Sequence, residues 1–330
     1  MENRLQALQS LKFYLEKMDH SLFKEWCQLA KAENAWFTEE SIRAAIDGII
    51  YLLDEENLRS WLSKYKLTDN PKKIAIIMAG NLPLVGFHDL LCTYISGHAS
   101  ILKFSSKDSR LFPFLIEEIK KTDEKADFTI EIGRLTGFDA VIATGSDNAS
   151  RYFDYYFGKY PHIIRRNRTS AAILNGNESM EELASLGKDV FQYFGLGCRN
   201  VSTLFVPDGF NFTTLLDAWQ TFSFVSQHHK YFNNYEYQKA IKLINSEPHL
   251  DNGFVLLSEN EKLVSPISVV HFQYYHNEND LTEKINSSHE KLQCVVGKNK
   301  LCNVEFGKSQ LPAIWNYADN VDTMCFLEKV

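Results

Sequence analysis

From residue 73 onward the chain alternates short runs of apolar, β-branched residues with stretches of helical periodicity, and few folds accept that alternation. Residues 73–79 (KIAIIMA) form such a run, closed by Gly80 as a buried strand would be, and 99–104 (ASILKF), 128–132 and 139–144 (DAVIAT) read the same way. Helical segments fall between and after them at 81–97, 110–121 and 148–157. Strands separated by helices of this length predict a parallel sheet with crossover helices. After Pro161 the alternation repeats more loosely, with strands at 170–174, 200–206, 254–257, 267–272 and 294–296 and helices at 180–194, 212–244 and 281–291. Residues 1–66 differ. Apolar residues recur there at three- and four-residue spacing (Leu5, Leu8, Leu11, Leu15; Ile42, Ala45, Ile46, Ile49), which predicts helices. The polar stretch 67–73, with Pro71, reads as a linker.

Size and charge narrow the class. A length of 330 residues suits two domains at roughly 150 residues each. A hydrophobic share of 45% with 23% charged residues excludes a disordered chain. The net charge of -7 argues against nucleic acid as a partner, since phosphate binding needs a basic surface. No run approaches the ~18 apolar residues of a membrane span. The opening residues mix charges throughout and lack the apolar middle of a signal peptide, so a cytoplasmic location is expected. The 6 cysteines are far apart with no C-x-x-C, so no zinc site or disulfide framework is expected, and one cysteine could be a nucleophile instead. The 10 histidines lack metal-binding spacing; His228 and His229 are adjacent and would point apart. No metal is expected.

Several short segments could carry chemistry. In GLGCRNVS (195–202), two glycines precede Cys198, letting the backbone turn sharply and a substrate approach, and Arg199 beside it would favour the thiolate. The competing reading is a small buried residue at a helix end. In MAGNLPLVG (78–86), Asn81 either caps a helix starting near Pro83 or donates its amide to an oxyanion at the strand's C-terminal end. On local grounds capping is stronger. The turn TGSDNAS (144–150) could face a pyrophosphate with its N–H groups, or simply cap a helix at Ser146 or Asp147; G-x-G-x-x-G is absent. Lys103 in LKFSSKD could reach a ribose or phosphate, although lone lysines at strand ends are usually only solvated. Arg165, Arg166 and Arg168 read as a solvated edge ahead of a phosphate site. The aromatics Phe222, Phe224, Tyr231, Phe232, Tyr235 and Tyr237 read as core ahead of an acyl channel.

In order and spacing, GNLPLVG, ILKFSSKD, ATGSDNASRYF, FGLGCRNVSTLFV and the closing QLPAIWNYADNVDTMCFL resemble the bacterial acyl-CoA reductases of the aldehyde dehydrogenase superfamily. That branch includes the fatty acid reductase subunit of bioluminescence, and the resemblance covers roughly residues 70–330. It implies an aldehyde-dehydrogenase-like α/β fold: a helical segment at 1–70, a Rossmann-type NADP(H)-binding domain at 71–175, a catalytic domain at 176–300 and a C-terminal segment at 301–330. Carried over by position, Cys198 falls on the nucleophile and Asn81 on the oxyanion-stabilising asparagine. Lys103 falls on the lysine that holds the adenosine ribose, and Gly145 and Ser146 on the turn near the cofactor pyrophosphate.

The departures from the pattern carry information. NAD-preferring relatives often place a glutamate three residues after the lysine; here that position is Ser106, followed by Lys107. A carboxylate repels a 2′-phosphate, whereas a hydroxyl and an ammonium accept one, so NADPH is the cofactor expected. The hydrolytic relatives carry a glutamate base before an E-L-G-G-K segment. The matching stretch here, RRNRTSAAIL, has Arg165 near that position and no carboxylate. An acyl-enzyme kept from activated water suits thioester reduction. Glu261 lies near a second ribose-binding glutamate, before Ser265 and Pro266. The resemblance thus implies NADPH-dependent reduction of an acyl-CoA, long-chain by preference, to the aldehyde through Cys198. An acyl-protein synthetase could be the acyl donor, and homo-oligomerisation is left open. The alternatives are an aldehyde dehydrogenase or acyl-phosphate reductase of the same fold, and a catalytically silent scaffold for a synthetase.

Overall fold

The computed structural model describes residues 1–68 and 70–330, with Asp147 described in its backbone only. Asp69, inside the expected linker, lies outside the described residues. The chain divides into two compact units, Met1–Asn167 with Pro312–Val330, and Arg168–Leu311.

The first unit opens with helices α1 (Glu2–Glu16), α2 (His20–Glu33), α3 (Glu39–Leu52) and α4 (Glu55–Leu62). The side chains of Asp19, Thr38 and Asp54 cap the last three by accepting N–H bonds from Ser21, Ser41 and Asn57. Their apolar faces bury Leu5, Leu8, Leu11, Leu15, Ile42, Ile46 and Ile49. A five-stranded sheet follows: β1 (Lys73–Ile77), β2 (Ala99–Lys103), β3 (Phe128–Ile130), β4 (Ala140–Thr144) and β5 (His162–Arg165), in the order β3-β2-β1-β4-β5. Every pairing in it is parallel. Helices α5 (Phe87–Ser96), α6 (Leu111–Thr122) and α7 (Asp147–Phe157) make the crossovers. The segment 1–70, expected as a separate element, shares one apolar core with α5, α6 and the sheet. Trp26 of α2 is fully buried and stacks on Phe114 of α6 with ring centroids 4.8 Å apart.

The second unit is a six-stranded sheet of β6 (Thr169–Ile173), β7 (Val201–Pro207), β8 (Leu250–Asp251), β9 (Leu256–Glu259), β10 (Val269–Tyr275) and β11 (Leu292–Val296), in the order β11-β6-β7-β10-β9-β8. Only the β8–β9 pair is antiparallel. Helices α8 (Met180–Phe191), α9 (Phe212–Trp219), α10 (His229–Ile244) and α11 (Glu278–Ser288) accompany it. The expected helix 212–244 is broken by a 3-10 stretch at Gln220–Gln227.

Three expectations are adjusted. Residues 169–173, grouped by sequence with the cofactor domain, pair with β7 and β11 and belong to the second unit. The C-terminal segment is divided, because Pro312–Val330 returns to the first unit. There Trp61 Nε1 donates to the Tyr317 hydroxyl at 2.7 Å and the Tyr65 hydroxyl donates to Asp322 at 2.8 Å, while α12 (Thr323–Leu327) buries Met324 and Leu327. Strand β5 has no counterpart in the sequence reading, since its apolar run is only Ile163 and Ile164, flanked by His162 and Arg165. Among the described residues, no helix is long and apolar enough to cross a membrane.

Candidate active site

In the second unit, α8 reaches β7 through a turn that carries Cys198. The backbone of Tyr193 (φ 54) and Phe194 (φ 59) is left-handed there, as is that of Gly195 and Gly197. Left-handed non-glycine residues cost about 1–3 kcal/mol each and persist only where surroundings over-determine them; such strain gathers at functional sites. The surroundings do constrain this turn. The Ser170 hydroxyl, fully buried on β6, donates to the Cys198 carbonyl at 3.0 Å. Ser170 N–H donates to the Asn200 carbonyl at 3.0 Å, and Asn200 N–H closes the turn on Gly197 O at 3.3 Å. The Arg199 guanidinium donates to Ser309 O at 3.4 Å, and buried Asp189 accepts N–H bonds from Gly307 and Ser309 at 2.6 and 2.8 Å. Cys198 is half-buried, whereas the competing reading of a packing residue has it buried. Burial pushes the Cys27 and Cys302 thiols up to about 11 and raises those of Cys92, Cys294 and Cys325 as well, which disfavours their thiolates at neutral pH.

In the first unit the strand order reverses across the β1–β4 pair, and open α/β sheets bind ligands beyond the C-terminal strand ends at such a point. Asn81 follows the C-terminal end of β1, Lys103 and Ser106 stand at that of β2, and Gly145 and Ser146 at that of β4. Asn81 is exposed in the loop after β1. It caps no helix: α5 begins at Phe87 with Gly86 as its N-cap, because residues 83–86 form turns with Leu84 left-handed at φ 56. Local reasoning favours the cap, and the structure removes it. Lys103 ends β2, and its ammonium donates to the carbonyls of Ile132, at 3.3 Å, and Gly133. Ser106 and Lys107 are exposed just beyond it. Glu131, at the end of neighbouring β3, is turned back to accept the Gly133 N–H at 2.6 Å. Gly145 packs tightly on α7, since a methyl group there would stand 2.8 Å from Ala149 Cβ. Ser146 is the N-cap of α7, accepting the Ala149 N–H at 3.3 Å.

The arginine cluster is not one solvated edge. Arg165 is buried and forms an ion pair with Asp89 at 2.6 Å, while Arg166 is exposed beside Asp154 at 3.2 Å. In the second unit Arg168 donates to Leu292 O at 3.2 Å. Glu261 sits in the exposed loop after β9, its carbonyl accepting from Gln273 at 3.1 Å. His228 caps α10 through Tyr231 N–H. Of the aromatic run, Tyr231 and Tyr235 are core, while Phe224, Phe232 and Tyr237 are exposed. Tyr231 also lines, with Phe191, Phe194, Val201 and Asn200, a cavity of about 10 Å³, room for no more than a single water. The sequence reading missed Ser170, whose hydroxyl reaches the Cys198 carbonyl from 28 positions away in the chain.

The sequence matches a family model described as acyl-CoA reductase (LuxC) over residues 4–214. That match takes in the helical N-terminal segment, which the motif resemblance leaves out. No curated protein matches the sequence. Among solved structures, the fold is similar to a putative aldehyde dehydrogenase from Burkholderia cenocepacia, with TM-score 0.66 and 12% identity over 90% of this chain and 74% of that one. It is also similar to an NADP-dependent enzyme of E. coli (TM-score 0.65, 12% identity, 92% and 76% covered). A third is the NAD+ complex of an aldehyde dehydrogenase from Bacillus cereus (0.62, 14%, 90% and 71%). At these identities the likeness establishes the fold, which is aldehyde-dehydrogenase-like α/β as expected.

Proposed function

Because the chain belongs to the acyl-CoA reductase (LuxC) family, a family of oxidoreductases, we propose that it reduces a long-chain acyl-CoA thioester to the aldehyde through a Cys198 acyl-enzyme, with NADPH as the reductant. The observation that carries this reading is the strained turn between α8 and β7 that presents Cys198, half-buried. The Cys198 thiolate attacks the thioester carbonyl, and amide donors steady the oxyanion, the role that the family resemblance assigns to Asn81. Collapse expels the CoA thiolate and leaves the acyl group on sulfur. One thioester replaces another, so the step is nearly balanced and needs no strong base.

The residues at the C-terminal ends of β2 and β4 suit a phosphate-bearing dinucleotide. Two ammonium groups (Lys103, Lys107) and a hydroxyl (Ser106) stand at the end of β2, and the Gly145–Ser146 turn opens α7. When bound, NADPH would supply the hydride that converts the acyl-enzyme to aldehyde. Lys103 would hold the adenosine ribose, Ser106 and Lys107 the 2′-phosphate, and the Gly145–Ser146 turn the pyrophosphate. Near the sequence position of a water-activating base stands Arg165 in place of a carboxylate, and its guanidinium is occupied by Asp89.

The direct test compares consumption of NADPH with long-chain acyl-CoA, with acyl phosphate, and of NADP with aldehyde; the reading requires acyl-CoA to give the highest kcat/KM. Asn81→Ala should lower kcat about 10²–10³-fold, the usual effect of losing one oxyanion donor. An unchanged kcat would remove Asn81 from the chemistry. NADPH should exceed NADH in kcat/KM, and Ser106→Glu should lower the NADPH value about tenfold, as one added repulsion of ~1.4 kcal/mol would. A wild-type preference for NADH would refute the assignment of Ser106.

A further inference from the structure

The loop of residues 80–86, which carries Asn81, is held from two sides by side chains of the same unit. On one side the Asn34 amide, buried at the end of α2, donates to the Gly80 carbonyl at 3.0 Å. On the other, Asp108 accepts the Leu84 N–H at 2.8 Å. Gly80 leaves no slack, because a methyl group there would collide with the Ser105 side chain. Between these anchors Asn81 is exposed.

Asp108 is a costly residue to bury. It is 2% exposed, and its second carboxylate oxygen has no hydrogen-bond partner among the described residues. Burial pushes its carboxyl up to about 7, Leu84 N–H pulls it back, and Glu33 adds to the rise. An apolar side chain would fill this place at lower free energy unless the acceptor were needed. The one bond the carboxylate makes goes to the left-handed Leu84, a conformation that does not hold itself. The turn bearing Asp108 is in turn fastened to the last residue of α2: Ser109 N–H and Oγ donate to Glu33 at 2.8 and 2.5 Å, and Arg110 pairs with it at 3.3 Å. Glu33 and Asn34 are neighbours in sequence, so α2 anchors both sides.

We propose that Asp108 and Asn34 are positioning residues that hold the Asn81 amide in its reactive place, which makes the N-terminal helical segment a brace for the active-site loop. The proposal rests on the reading of Asn81 as the oxyanion donor.

A double-mutant cycle separates the two. In the full chain, Asp108→Ala should lower kcat for long-chain acyl-CoA roughly ten- to hundredfold, the range of one hydrogen bond to a charged group, while KM is held. Asp108→Asn, which keeps an acceptor for Leu84 N–H, should recover most of that rate. In an Asn81→Ala background, Asp108→Ala should lower kcat by less than about twofold, because the donor it positions is gone. If Asn81→Ala lowers kcat and Asp108→Ala still exacts its whole effect on top, positioning is overturned and the reading of Asn81 stands. If Asn81→Ala leaves kcat unchanged, the donor reading fails and the brace fails with it. Should Asp108→Ala not yield folded protein, Asn34→Ala removes the other anchor and enters the same cycle. A loss of kcat that vanishes in the Asn81→Ala background then supports the brace, and a loss that persists there overturns it.

Discussion

Replacing Cys198 by alanine is expected to abolish aldehyde formation, with a loss on the order of 10⁶ in kcat, as when other covalent nucleophiles are removed. NADPH binding, followed by fluorescence titration, should be unchanged. The size of the effect follows from the lack of a substitute. Cys27, Cys92 and Cys294 are buried, and the thiols of all five other cysteines are pushed upward. Among the described residues, no other segment presents a thiol on a strained turn pinned by a buried hydroxyl, as Ser170 pins the Cys198 carbonyl. Mass spectrometry after incubation with long-chain acyl-CoA, without NADPH, should find one acyl group on Cys198 of the wild type and none on the alanine variant. An adduct on another cysteine, or an alanine variant with ordinary turnover, would end the proposal. A silent scaffold predicts something different: Cys198 would resist alkylation at neutral pH, since nothing would keep its thiolate reactive.

The second large effect falls on stability. Arg165 is 4% exposed at the end of β5 and forms two bonds with the buried Asp89 carboxylate, at 2.6 and 3.3 Å. It also donates to Ala318 O at 2.6 Å and to Thr323 Oγ1 at 2.9 Å. One guanidinium therefore ties the sheet, α5 and the returning C-terminal segment together. Arg165→Met strands the Asp89 charge in the interior, which costs about 3–5 kcal/mol. For a unit of this size that is a fall of about 6–20 °C in Tm. Arg165→Met with Asp89→Leu should melt well above the single variant, because no buried charge is then left alone. The test is differential scanning calorimetry. A single variant melting within about 2 °C of the wild type would show the pair to be dispensable.

The two predictions draw on different parts of what can be read in the chain. The turn glycines around Cys198 are visible there, as is the order of GNLPLVG, ILKFSSKD and ATGSDNAS. The strain at Tyr193 and Phe194 is not, because neither residue favours a left-handed backbone and only surrounding contacts can hold one there. Arg165 reads as part of a solvated edge, and nothing local tells it from Arg166. The difference is Asp89, far away in sequence and adjacent in space. Asn81 reads as a helix cap because Pro83 suits a first helical turn, yet Leu84 and Gly86 delay α5 to Phe87.

The chain by itself determined the alternation of strand and helix, the helical opening and the succession of motifs. Those depend on side-chain periodicity and turn residues, which act over a few positions. The tertiary structure alone decided that residues 169–173 join the second sheet, that the first helices and the last residues share a core with the first sheet, and which polar groups are buried against which. Burial and pairing belong to whatever chain comes to lie alongside, and no window of sequence contains that partner.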